Sequence, residues 1–280
     1  MDRRETPWNG RVAHVSLKGK VEAERFVEGN YLTSINIRVP ISDSPGGALQ
    51  RELNFGERFC VLDEDGDLAF GFSERDGYVG WIDTKLFSLR DVPSATHVVQ
   101  VPMTHGLQSP DIKDNRFTYT LSMGARLSVA EKDGRWAKVT TTAPIFVPEI
   151  HIRPIRTPET DPVAVAERLL GTPYLWGGNS AFGIDCSGLV QIACLACGIP
   201  CPGDSDQQEA RLGHCVPNGT PPERGDLLFW RGHVAWVADE SRILHANAHS
   251  MSVTFEDRKT AIARIMAQGD GPVTGHKRLG

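Results

Sequence analysis

A constant spacing of 68 residues ties together two stretches in the first half of this 280-residue chain. Gly56, Arg58, Val61, Asp65 and Gly66 recur as Gly124, Arg126, Val129, Asp133 and Gly134. The same offset pairs Ala69 with Ala137, Tyr78 with Phe146, Val79 with Val147 and Ile82 with Ile150. One spacing kept over so many positions marks a duplicated structural unit. Each copy consists of short apolar runs broken by Gly, Pro, Asp and Asn, the pattern of short strands in a barrel or sandwich. Asp65-Gly66 and Asp133-Gly134 read as hairpin turns, and Gly77-Tyr78-Val79-Gly80-Trp81-Ile82 alternates like a half-buried strand. Two small all-β barrels are expected, over residues 1–90 (with an N-terminal extension) and 91–153.

Pro148, Pro154 and Pro158 each bias the preceding residue away from helix, so an extended linker is expected there. Thr160 or Asp161 can cap a helix whose first turn suits Pro162 and which Gly171 stops. Residues 154–280 read as a third, α+β domain in which helices precede strands.

A formal net charge of -5 argues against nucleic acid or an anionic membrane as a partner. No window approaches the run of about 20 apolar residues that a membrane span needs. Met1 to Gly10 is polar and charged, without the apolar core of a secretory signal, so a cytoplasmic, monomeric protein is expected. In that compartment Cys60, Cys186, Cys194, Cys197, Cys201 and Cys215 are thiols. Cys194, Cys197 and Cys201 lack a second ligand pair at zinc spacing. The Asp63–Asp67 cluster lacks a calcium loop's closing glutamate and reads as a hairpin tip. No metal and no cofactor is expected.

Chemistry concentrates in the last third. Asp185 precedes Cys186 and an apolar stretch running to Gly198, long enough for a buried helix with Cys186 in its first turn. The unpaired N–H groups and dipole at such a position favour the thiolate. Gly225 to Trp230, His233 to Val237 and Ile243 to Ala246 read as successive strands. A three-residue loop at Asp239-Glu240-Ser241 would set Ala235 opposite His245, so that His233 and His245 share a face as diagonal neighbours, whereas a two-residue loop would put them on opposite faces. A thiol with two histidines fits nucleophile, base and orienting group.

In order along the chain stand Tyr174-x-Trp176-Gly177-Gly178, Asp185-Cys186-Ser187-Gly188-Leu189-Val190, Arg224-Gly225-Asp226-Leu227 leading to His233-Val234, and Leu244-His245-Ala246. Together they resemble the motif series of the NlpC-type cysteine peptidases, papain-like enzymes that cleave murein peptides, over about residues 158–275. The resemblance implies Cys186 as nucleophile, His233 as base and His245 as third member. It also implies Tyr174 beside the thiol and Trp176 among the substrate-binding residues. The Gly77–Trp81 strand is similar to that of bacterial Src-homology-3-like barrels, which gives the expected architecture of two such barrels before the peptidase domain.

A subgroup with that domain order hydrolyses the γ-D-glutamyl–diamino acid bond of recycled murein peptides in the cytoplasm and demands a free N-terminal L-Ala. Pro202-Gly203-Asp204-Ser205-Asp206-Gln207-Gln208 resembles its substrate-binding stretch, with Gly203 where the subgroup has arginine. Carried over by position, Asp185 meets the substrate ammonium, with Ser187 and Ser205 near the glutamyl group and Asp204 among the substrate-binding residues. Glu57 and Tyr78 of the first barrel complete the amine pocket. A buried carboxylate costs several kcal/mol unless a cation meets it, which would reject N-acylated peptides. Two other readings share the motifs: an exported or phage-associated hydrolase whose barrels bind the wall, and an acyltransferase or amidase on the same fold.

Overall fold

The computed structural model describes residues 1–88, 92–114, 118–141, 144–217 and 219–280. The chain divides into two units, Met1–Thr157 and Pro158–Gly280.

In the first unit the duplication is one of strand order. Leu49–Asn54, Arg38–Ser42, Val79–Asp83, Leu68–Ser73, Arg58–Asp65, Asn30–Ser34 and Phe87–Ser88 are neighbours in that order. The order repeats as Thr118–Ser122, Met103–Leu107, Ile145–Pro148, Trp136–Val139 and Val129–Asp133, and continues in a second sheet as Arg126–Leu127, His97–Val99 and Ile152–Pro154. The strand that is continuous over Arg58–Asp65 is interrupted at Ser128 in the second copy.

Register shows that the 68-residue spacing belongs only to the middle of the repeat. Arg38 faces Asn54, and Met103 faces Ser122, so Met103 stands 65 residues after its counterpart but Ser122 stands 68 after its own. Ala69 faces Ile82 and Ala137 faces Val147, so the offset returns to 65 on the strand that follows. The second copy has thus gained three residues in one connection and lost three in another, where exposed loops absorb length changes. The pairings of Tyr78 with Phe146, Val79 with Val147 and Ile82 with Ile150 are thereby corrected. Val147 takes the place of Ile82, both of them buried, whereas Ile150 is 79% exposed.

Asp65 pairs with Leu68 and Asp133 with Trp136, which leaves Gly66-Asp67 and Gly134-Arg135 as two-residue loops. Each begins on a glycine at positive φ, 62° and 57°, as a type II′ hairpin turn requires. The two copies press together at Gly56, where a Cβ would lie 1.9 Å from the Arg126 carbonyl oxygen. Beside it, Phe55 of the first copy enters the second copy's core with Val99, Leu127 and Val147.

Two expectations for this unit are corrected. Pro148 and Pro154 do not mark a linker: each ends a strand, and Ile152–Pro154 pairs with His97–Val99 at the edge of its sheet, where proline is tolerated. Asp63 is not at a hairpin tip. It is buried and accepts from Asn9 at 2.8 Å and from Arg11 at 2.6 Å, with Arg25 at 3.1 Å, tying the N-terminal segment to the first copy.

The second unit opens with the helix Pro162–Glu167, capped by Asp161, whose carboxylate accepts from the Ala164 N–H at 3.0 Å. Its antiparallel sheet runs His214–Cys215, Gly275–Arg278, Asp226–Trp230, His233–Val237, Arg242–Asn247, Ser252–Asp257. The helix Cys186–Ala196 packs against the His233–Val237 and Arg242–Asn247 strands. Ala261 and Ile265 of the helix Arg258–Gln268 share a core with Leu228, Ala235, Val237 and Ile243.

Candidate active site

Cys186 is the first residue of its helix and is 5% exposed. Every residue of this helix from Cys186 to Cys194 is buried, with the polar Ser187 and Gln191 hydrogen-bonded within the core. Asp185 caps it with extended backbone: Oδ1 accepts from the Gly188 N–H at 2.7 Å and from the Ser187 hydroxyl at 3.0 Å. Its Oδ2 accepts from the Gly177 N–H at 2.9 Å, which draws the glycine loop onto the helix start. Gly188 makes that approach possible, since a Cβ there would lie 2.5 Å from the Gly178 carbonyl oxygen. The Gly177-Gly178 and Asp185–Gly188 motifs are therefore one device. It presents a thiol among helix N–H groups that lack intrahelical partners.

Trp236 faces Leu244 and Val237 faces Ile243, the register that sets His233 and His245 on one face. His233 Nε2 and His245 Nδ1 are 2.9 Å apart. His245 is fully buried, and its Nε2 lies 3.1 Å from Glu256 Oε2. Arg264 in turn donates to Glu256 through Nε at 2.9 Å and Nη2 at 2.6 Å. Burial, with smaller contributions from His245 and Arg264, pushes His233 down to about 3. Burial holds His245 down to about 4 against the pull of Glu256. Both imidazoles are thus neutral at neutral pH until a proton is delivered to them.

Glu256 and Arg264 were not among the residues singled out from the sequence. The usable signal was parity: Asn247 pairs with Ser252 across the next turn and Ile243 with Glu256, so the acid falls on the histidines' face.

The remaining candidates lie as follows. Tyr174 is half-buried, with its N–H donating to the Met251 carbonyl at 2.9 Å, and Trp176 is 66% exposed. The Ser187 carbonyl accepts from Gln208 Nε2 at 2.9 Å, which ties the Cys186 helix to the Ser205–Arg211 helix headed by half-buried Asp204 and Ser205. In the first unit Tyr78 sits in the core with Val39, Phe59 and Ile82. Glu57 is buried, its Oε2 accepting from the Asn54 N–H at 2.8 Å and from Arg75 Nη1 at 2.7 Å. The Glu57 carboxylate thus has a cation partner within its own unit, Arg75.

Residues 171–267 match the NlpC/P60 family. The second unit is an NlpC/P60 domain. In the first unit, residues 41–85 match the bacterial dipeptidyl-peptidase Sh3 domain. Over most of its length the chain is similar to two proteins named γ-D-glutamyl-L-lysine dipeptidyl-peptidase. That of Bacillus subtilis strain 168 is 27% identical over 225 residues, 73% of this chain and 74% of the relative. That of Bacillus cereus ATCC 10987 is 24% identical over 244 residues, 73% and 69% of the two chains. The crystal structure of an NlpC/P60 family protein from Bacillus cereus ATCC 10987 shares the fold, with a TM-score of 0.74 at 19% identity over 89% of this chain and 99% of that one. The NlpC/P60 domain makes the chain a cysteine peptidase of a family that acts on peptidoglycan.

Proposed function

We propose that this peptidase hydrolyses the γ-D-glutamyl–diamino acid bond of murein stem peptides whose L-Ala terminus is free. Its setting would be recycling of wall fragments in the cytoplasm. Cys186 is the nucleophile, His233 the base and His245 the group that orients it. The observation carrying this reading is the 2.9 Å contact between His233 Nε2 and His245 Nδ1, which commits one ring nitrogen of His233 and leaves the other for a thiol. His233 Nδ1 takes the thiol proton. The thiolate attacks the γ-carbonyl carbon, and the imidazolium returns the proton to the departing amine of the diamino acid. A thioester to Cys186 remains, and water activated by the same imidazole hydrolyses it to release L-Ala-D-Glu.

The substrate class is supported by the names of the two Bacillus relatives, whose similarity extends over both units. We read both copies in the first unit as Src-homology-3-like barrels, because they share one strand order and the first lies on the matched domain. Amine recognition then falls to Asp185, a buried carboxylate beside Cys186 at the head of the helix, whose negative charge favours an ammonium. Glu57, neutralised by Arg75, is left out of it.

Incubation with L-Ala-γ-D-Glu-L-Lys and with its N-acetylated form, followed by mass spectrometry, tests the reading. Cleavage of the free peptide, at least about 100-fold slower cleavage of the blocked one, and loss of about 1,000-fold or more in Cys186→Ala are expected. Equal cleavage of both peptides removes the amine claim, and full activity in the variant removes Cys186 as nucleophile.

A further inference from the structure

The histidine pair continues into a carboxylate, and the chemistry of that end fixes the direction of every proton before it. We propose that Glu256 is a positioning residue that sets the proton order of the relay, obliging His233 to present a bare Nδ1 to the Cys186 thiol. The inference rests on the roles given above to Cys186 and His233.

An ionised carboxylate only accepts hydrogen bonds. With Glu256 Oε2 at 3.1 Å from His245 Nε2, the single proton of neutral His245 sits on Nε2. Its Nδ1 then carries a lone pair, so the 2.9 Å contact requires His233 Nε2 to donate. A neutral imidazole has one N–H, which leaves His233 Nδ1 unprotonated and basic. The opposite order would set the lone pair of His245 Nε2 against a carboxylate.

Two conditions hold this order in place. Glu256 must stay ionised, and Arg264 clamps both of its oxygens with parallel N–H donors, chiefly through which its carboxyl lies below the usual range. His245 must stay neutral. It is fully buried, and that burial, Arg264 from the helix and His249 from the following turn oppose a charge on it, while Glu256 favours one. When the thiol ionises, the S–H bond breaks and an N–H bond forms on His233 Nδ1. Nothing else moves. The imidazolium keeps the hydrogen bond from its Nε2 to His245, now strengthened by its charge, and is stabilised beyond it by the field of Glu256.

Strand geometry supplies the alignment. His245 faces Thr254 and Ile243 faces Glu256, so the acid is the diagonal neighbour of His245 on the same face. The Asp257 carboxylate accepts from the Thr260 N–H at 2.9 Å and starts the helix that brings Arg264 back to Glu256.

The test needs no peptide, so it is separable from the substrate assignment. Nitrogen-15 NMR of the native protein should find the His245 proton on Nε2. In Glu256→Gln, Arg264 draws the amide oxygen and the amide N–H turns to His245, which moves the proton to Nδ1. Alkylation of Cys186 by iodoacetamide at neutral pH should then slow at least about 10-fold, as when a catalytic histidine is held in the wrong tautomer. Glu256→Asp, still acceptor-only, should keep most of the native rate. On a cleaved peptide, kcat should fall in Glu256→Gln while KM holds. A native His245 protonated on Nδ1 alone overturns the proposal even if the variant fails to fold. So does native-rate alkylation in a folded Glu256→Gln protein.

Discussion

At the scale of single residues, the chain separates what sequence spacing can reveal from what only packing reveals. The helix start at Cys186 was legible from the capping Asp185, and the pairing of His233 with His245 because the turn at Asp239–Ser241 fixes which face they occupy. Glu256 was not, because an acid on an edge strand reads as a solvated one until its partners on the strand and helix are known. Glu57 shows the opposite case: spacing alone could not disclose that Arg75, 18 residues on, pairs with its carboxylate in a region where both side chains are almost fully covered. Removing one partner of such a pair leaves a buried charge. Glu57→Gln should therefore lower stability by roughly 3 kcal/mol in urea unfolding and leave KM for a free-amine peptide unchanged. A selective rise in KM with unchanged stability would restore Glu57 to the substrate.

At the scale of elements, strands were legible from alternation and their boundaries from glycine turns, but connection lengths were not. The constant offset of 68 could not disclose that three residues enter one loop of the second copy and leave another, since both copies keep the strands themselves intact. The hairpin carrying the histidines also makes a thermodynamic prediction. An unfolded histidine takes up a proton near pH 6.5, whereas His245 in the sheet resists until about 4, mainly through burial. Between those values the unfolded chain binds more protons than the folded one, so acid favours unfolding. This contribution is complete above pH 6.5 and is lost as pH falls towards 4, with a slope of at most about 1.4 kcal/mol per pH unit. Urea midpoints at pH 7 and pH 5 should differ less in His245→Asn than in the native protein; an equal difference would remove His245 as its source.

At the scale of the whole molecule, each unit has a core of its own, and the C-terminal sheet is finished by its latest strand. Asp226 is buried and accepts from His276 Nε2 at 2.7 Å and from Arg278 at 2.7 and 2.8 Å, fastening Gly275–Arg278 alongside Asp226–Trp230. Asp226→Asn should cost about 3 kcal/mol, seen by calorimetry as a lower melting temperature for residues 158–280 with the first unit's transition unmoved. A shift in the first unit's transition instead would contradict two independent cores. The same strand lies between His214–Cys215 and Asp226–Trp230 rather than at an edge. A chain emerging from the ribosome has therefore made its cysteine and both histidines well before the sheet beneath them can close. The sheet that carries both histidines is thus completed by the most C-terminal of its strands, Gly275–Arg278.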